Sequence, residues 1–164
     1  MNRRWLVNGD PRGRALALSD WTLEEFDMGS LADSEVRVKT EVLAFQPAQK
    51  GQMEVIPGYS SGNLIGKVMG AEGIGEVVES KSKEIGVGSK VIGPLGWQEF
   101  ADLKPQQLRV VPDDGLLTAR LGPLGSSGLT AYFGLLRVGQ PEAGDTVVIS
   151  GAAGAVGSTA GQIA

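Results

Sequence analysis

Residues 145–164 read Asp-Thr-Val-Val-Ile-Ser-Gly-Ala-Ala-Gly-Ala-Val-Gly-Ser-Thr-Ala-Gly-Gln-Ile-Ala, and no other stretch narrows the possible folds as much. Thr146 to Ile149 is a β-branched run suited to a strand buried on both faces. Gly151, Gly154 and Gly157 then mark a tight turn opening into a helix. Only glycine lets a backbone pass close to a pyrophosphate, and a helix N-terminus offers free N–H donors and a favourable dipole to the anion. Ala152-Ala153-Gly154-Ala155-Val156-Gly157 fits the dinucleotide fingerprint with Ala at its first glycine position. The residue that would distinguish NAD from NADP lies roughly 20 positions further on, beyond Ala164.

The rest of the chain has a different texture. Its 25 glycines and 8 prolines cut 164 residues into short runs, which favours strands and turns over a helix bundle. Arg3 to Val7 is predicted as a first strand, closed by the turn signal Asn8-Gly9-Asp10-Pro11. Trp21 to Asp27 roughly alternates. Glu35 to Phe45 alternates clearly, with Val36, Val38 and Val42 on one face and Arg37, Lys39 and Glu41 on the other. Gln46 to Met53 reads as a polar loop. Glycines among Val68, Ile74, Val77 and Val78 imply bends in a second β region, and short strands are predicted over Lys90 to Ile92, Trp97 to Leu103 and Leu108 to Val111. Many short strands with Gly and Pro turns indicate a barrel. After Leu116 the pattern becomes helical: Leu129, Tyr132, Phe133 and Leu136 recur along Ser127 to Val138, with Ser127 as cap and Gly139 as stop. The expected fold is therefore α+β, with a barrel over 1–121 and a nucleotide-binding start over 122–164.

Two absences exclude chemistry. Without Cys there are no disulfides, thiolate nucleophiles or cysteine metal sites, and without His as well the usual zinc ligands are gone. No metal is expected. A formal charge of −4 with no basic stripe argues against nucleic acid. The apolar run Trp5 to Val7 is too short for a leader, and nothing approaches the ~20 apolar residues of a membrane span, so a soluble cytoplasmic protein is expected.

Several stretches together resemble the N-terminal part of a medium-chain dehydrogenase/reductase, a superfamily with a GroES-like barrel followed by a Rossmann domain. They are Gly70-Ala71-Glu72-Gly73-Ile74-Gly75-Glu76-Val77-Val78, Gly88-Ser89-Lys90-Val91, Gly96-Trp97-Gln98-Glu99-Phe100, Gly128-Leu129-Thr130-Ala131-Tyr132-Phe133-Gly134-Leu135 and the terminal glycine motif. Where zinc-dependent members carry Gly-His-Glu, this chain reads Gly70-Ala71-Glu72, so the resemblance points to the zinc-independent reductases. Leu43 to Met53 and Trp97 to Phe100 are similar to the 2-alkenal, prostaglandin and leukotriene reductase branch. The resemblance implies NADPH as cofactor and reduction of the C=C bond of an α,β-unsaturated aldehyde or ketone.

Site residues follow from the same resemblance. Ser126, Thr130, Ala153, Gly154, Ala155, Val156 and Gly157 are the implied cofactor contacts, with Thr130 beside the nicotinamide amide. Ala48 and Tyr59 are the substrate-side candidates. Relatives carry a tyrosine at the position of Ala48, which makes Tyr59 the candidate proton donor. Glu72 is expected to order backbone N–H groups, and Trp97 to be core. With only the first strand and phosphate turn of a Rossmann domain, the 164 residues alone are expected to be weakly active or inactive. A quinone reductase and a non-catalytic interaction module are the competing readings. The orphaned Thr146 to Ser150 strand favours self-association, most simply a homodimer.

Overall fold

A computed structural model describes residues 1–54 and 64–164. Two compact units form, Met1–Pro112 and Asp113–Ala164. The division falls ahead of the expected junction at 121/122. Val111 donates the last sheet hydrogen bond, to the Lys90 carbonyl at 2.9 Å, and from Asp114 onward the bonds are local.

The first unit is antiparallel. Its strands are β1 (Asn2–Val7), β2 (Trp21–Phe26), β3 (Val36–Leu43), β4 (Gly73–Ser80), β5 (Lys90–Gly93), β6 (Phe100–Leu103) and β7 (Arg109–Val110), with one short helix, α1 (Ala48–Met53). β1 and β2 form a hairpin, and the other five strands form a sheet in the order β6-β3-β4-β5-β7. The alternation read in β3 holds: Val36 and Val38 face a core with Val77, Val91, Leu95 and Ala101, while Arg37 and Lys39 point outward. Register shifts between Arg37 and Val38 and between Thr40 and Val42 curl this strand. At Gly75 a side chain has no room, because a Cβ would overlap the Lys39 carbonyl oxygen and lie 2.6 Å from Val38 Cγ1. The glycine is what allows β3 and β4 to approach here.

The hairpin is fastened to the sheet through its first residue. Asn2 is fully buried; its Nδ2 donates to the Phe100 carbonyl at 2.8 Å, and its Oδ1 accepts from the Phe100 N–H at 3.0 Å. Trp5 and Glu99 extend the contact, donating to Trp97 and Arg3 carbonyls. A second core patch forms beneath the hairpin from Val7, Met53 and Met69, with Trp21, Leu64 and Trp97 packed against it.

Residues 46–53 correct the predicted loop. Pro47 caps α1, Lys50 pairs with Glu54 one turn on, and Met53, only 3% exposed, anchors the helix in the second core. The Pro47 and Gly51 turn signals were outweighed by that burial. Tyr59 lies outside the described residues.

In the second unit α2 (Ser126–Tyr132) continues as a wider π-helical stretch, Phe133–Gly139, and packs on α3 (Ala155–Ile163). Gly125, not Ser127, is the cap, and Gln140 rather than Gly139 takes the left-handed stop at φ 48°. Thr146 to Ile149 does not form the predicted strand. A strand exists only as part of a ladder, and no other strand is found among the described residues of this unit, so Val148 stands 89% exposed. Of the expected Rossmann start, the helix and the glycine turn are thus present and the first strand is not.

Beside the hairpin, the buried Asp20 carboxylate is held by Arg14 and by the Ala17 N–H at 2.8 Å. The Arg14 hydrogen bond is the main cause that lowers its pKa to about 2, and the Ala17 N–H adds to it. A depressed carboxyl contributes stability that is complete above its unfolded value near pH 4 and is lost as pH falls through about 2. Asp20→Asn is therefore expected to flatten the acid limb: urea midpoints of the variant change less between pH 4 and pH 2 than those of the parent chain.

Candidate functional site

The glycine turn is built locally, which is why its sequence was legible. Gly151 sits at φ 62°, the Gly154 N–H closes back onto the Gly151 carbonyl at 2.8 Å, and α3 starts at Ala155 with Gly154 as its cap. At Gly157 a Cβ would overlap the Gly151 carbonyl oxygen and reach within 3.0 Å of Ala152 Cα. The turn and the first helical turn therefore lie backbone against backbone. The N–H groups of Ala155, Val156 and Gly157 have no acceptor within the helix, and Ala153 to Val156 are open to solvent. A dinucleotide's phosphates fit this arrangement, because only the small residues leave these donors uncovered.

Ser126 and Thr130 lie one turn apart on α2, in the same unit. The Thr130 hydroxyl donates to the Ser126 carbonyl at 2.8 Å, and both residues are exposed. That bond uses the hydroxyl hydrogen and leaves oxygen lone pairs for an amide N–H.

On the first unit two cavities adjoin. One, about 470 Å³, is walled by Trp21, Phe45, Met53, Met69 and Trp97. Trp21 and Trp97 are stacked with ring centroids 5.5 Å apart, and Phe45 tilts against Trp97 at 5.2 Å. The indole N–H groups of both tryptophans are buried with no acceptor among the described residues. The other cavity, about 270 Å³, lies at Ala44, Gln52, Gly70, Ala71, Glu72 and Pro94. Gln46 and Gln49 line both cavities. Gln49 is fixed as the partition: its Oε1 accepts from the Gln46 N–H at 2.9 Å and its Nε2 donates to the Gly70 carbonyl at 3.0 Å.

The predicted substrate-side residues fare unevenly. Ala48 opens α1, is exposed, and lines neither cavity; its neighbours Pro47 and Gln49 do. Trp97 is half-buried: it packs against the second core, as its reading as core expects, and it also forms a wall of the larger cavity. Among the described residues the Glu72 carboxylate orders no N–H group. Among the described residues it is the Glu72 backbone carbonyl that accepts, from the Ala44 N–H at 2.9 Å. Ala71 stands in the smaller cavity where the resemblance would place a zinc ligand, and no described group of three or more His, Cys, Asp or Glu is arranged to hold a metal. No helix among the described residues is long and apolar enough to cross a membrane. The aromatic cavity went unread because its walls come from positions as far apart as 21, 45 and 97, and no local pattern joins them.

Comparison with known proteins places these features. Residues 3–111 match the family described as the N-terminal domain of oxidoreductase. The chain is 37% identical over 163 residues to the NADPH-dependent curcumin reductase of Escherichia coli (strain K12), covering 99% of this chain and 47% of that protein. It is 36% identical over 150 residues to prostaglandin reductase 1 of Bos taurus, covering 89% of this chain and 44% of the relative. Among solved structures, CurA from Vibrio vulnificus in complex with NADPH superposes with a TM-score of 0.89 at 32% identity, over 98% of this chain and 48% of that one. The chain thus spans about half the length of the relatives it matches.

Gly157→Ala is expected to force the turn off the helix. Titration with NADPH, followed by the cofactor's fluorescence, should show binding weakened by about tenfold or more. Gly86→Ala, where a Cβ meets nothing within 4 Å, should leave it unchanged.

Proposed function

This chain belongs to the oxidoreductase family whose N-terminal domain it matches, in the zinc-independent branch of the medium-chain dehydrogenases/reductases, and from that premise we propose that the whole protein is an NADPH-dependent reductase of the C=C bond of α,β-unsaturated aldehydes or ketones. The observation that carries the reading is the glycine turn closed against any Cβ at Gly157, opening on the free N–H groups of a nine-residue helix. Relatives named as NADPH-dependent curcumin reductase and as NADP(+)-dependent 2-alkenal reductase support the substrate chemistry.

Each residue has a part to play in this reading. Ala155, Val156 and Gly157 offer backbone N–H groups to the phosphates. Thr130 orients the nicotinamide end by accepting from its amide while its own hydrogen stays on the Ser126 carbonyl. A nicotinamide held by these groups would supply the hydride for the substrate's β carbon. The substrate carbonyl then needs donors rather than a metal, because its own oxygen takes the developing charge. Ala48 has no proton to give; Tyr59 is the remaining candidate from that stretch of sequence.

The 164 residues taken alone are proposed to be weakly active or inactive, since the segment that would be a central strand is unpaired and Val148 is open to solvent. The same exposure supports a second reading, self-association through residues 146–149 into a homodimer. Sedimentation of the chain separates the two: a clean monomer at micromolar concentration removes support for self-association. For the enzyme, the whole protein should oxidise NADPH with but-3-en-2-one and release butan-2-one, while the 164-residue chain should not reach a rate typical of whole enzymes. Turnover of a benzoquinone with none of the enone would favour the quinone reductase alternative instead.

A further inference from the structure

Helix α2 carries Ser126 and Thr130, the residues proposed for the nicotinamide end of the cofactor, yet no side chain fixes where it starts. Its cap is Gly125, and no side-chain hydrogen bond closes the end. The first turn is held instead by the segment before it, backbone against backbone. A Cβ at Gly125 would overlap the Arg120 carbonyl oxygen, and one at Gly128 would overlap that of Pro123. The Gly128 N–H reaches back to the Gly122 carbonyl at 3.3 Å, and the Leu124 N–H to the Ala119 carbonyl at 2.8 Å. A shift of the Arg120 backbone is therefore passed to Gly125 and to Ser126 directly after it.

Arg120 is held in turn by its own side chain. Its Nη1 and Nη2 donate to the two carboxylate oxygens of Asp114, each at 2.8 Å, and Asp114 Oδ1 also accepts from the Leu116 N–H at 3.1 Å. Two parallel bonds fix direction as well as distance, and the Arg120 side chain is only 14% exposed where it makes them. The carboxylate thus ties the start of the 114–120 loop to its end. We propose that Arg120, clamped by Asp114, is a positioning residue for the nicotinamide end of the cofactor: it places the first turn of α2, and with it the Ser126 carbonyl that orients the Thr130 hydroxyl. The proposal rests on the reductase reading for the identity of the ligand, and on the geometry alone for the chain of contacts from Asp114 to Thr130.

The body of the helix is secured elsewhere. Gly128 and Ala131 are buried, and α2 packs on α3. The Asp114 side chain is 40% exposed, and an ion pair so open to water adds little stability. What loss of the fork frees is the entry to the helix, where a small displacement is enough to spoil a hydrogen bond to a ligand.

The test uses the whole protein and two ligands, NADPH and 2′-phospho-ADP-ribose, which carries the same phosphates without the nicotinamide; binding of each is followed by titration calorimetry. Arg120→Lys keeps the charge and loses the fork. It should weaken NADPH by about three- to tenfold, leave 2′-phospho-ADP-ribose within about twofold of the parent, and keep the melting temperature within about 3 °C. Asp114→Asn should act in the same selective way, and the two changes together should weaken NADPH no further than the stronger of them alone, because they break one contact. Equal loss of affinity for both ligands marks the clamp as a support for the whole unit and overturns the proposal. Unchanged NADPH binding by Arg120→Lys overturns it too. A parent protein that binds neither ligand sinks the reductase reading and the clamp's role with it, whereas a parent that binds NADPH no better than its Arg120→Lys variant sinks the clamp alone, so the two failures are distinguishable.

Discussion

The first unit depends on the pair of hydrogen bonds between the buried Asn2 amide and the backbone of Phe100. They let a side chain imitate a strand partner, and so seat the β1–β2 hairpin beside the segment that runs into β6. With the hairpin seated, Trp21, opposite Val7 in the hairpin register, meets Trp97 on the sheet side. Without it the second core would have no roof, and the aromatic cavity no far wall. A buried amide is costly unless both its donor and its acceptor are used, and here both are. The specificity of the joint thus comes from a polar group, while the area it brings together is apolar.

The second unit is organised by the opposite means. Its glycine turn needs no long-range partner: Gly151, Gly154 and Gly157 fold the backbone on itself, and α3 follows. Asp114 shows the same local logic. Its carboxylate takes two 2.8 Å bonds from Arg120, which are the main cause that lowers its pKa to about 2. What this unit lacks is a ladder, and the β-branched run at 146–149 forms no strand without one.

This contrast also explains how much could be read from the sequence. The alternation of Val36 and Val38 against Arg37 and Lys39 records burial directly, and the glycine spacing records backbone contact directly, so both were legible. Residues 46–53 were not, because turn formers dominate the local signal and the decisive fact, the burial of Met53, comes from Val7 and Met69 far along the chain. The strand at 146–149 was misread for a related reason: β-propensity describes fitness for a sheet, and pairing decides whether a sheet is there. Of the site, the glycine turn was visible in a dozen consecutive residues. The aromatic cavity was not, since its walls are assembled by the hairpin joint.

The outward face of the sheet carries one more kind of information. Arg37 on β3 lies between Asp102 on β6, which it grips at 2.8 and 2.9 Å, and Glu79 on β4, while Lys90 on β5 bridges Glu76 and Glu41. Individually such pairs add little stability. Their placement matters more, because a slip of one strand past the next would part these charges even where apolar contacts re-formed. In the register seen, Arg37 faces Glu79; two positions along, it would face Lys81 or Val77. Like charges opposite one another are disfavoured, and a lost partner leaves the guanidinium unmatched. The charged face therefore works as a proofreading code for strand alignment, adding a check to the one that the buried valines make.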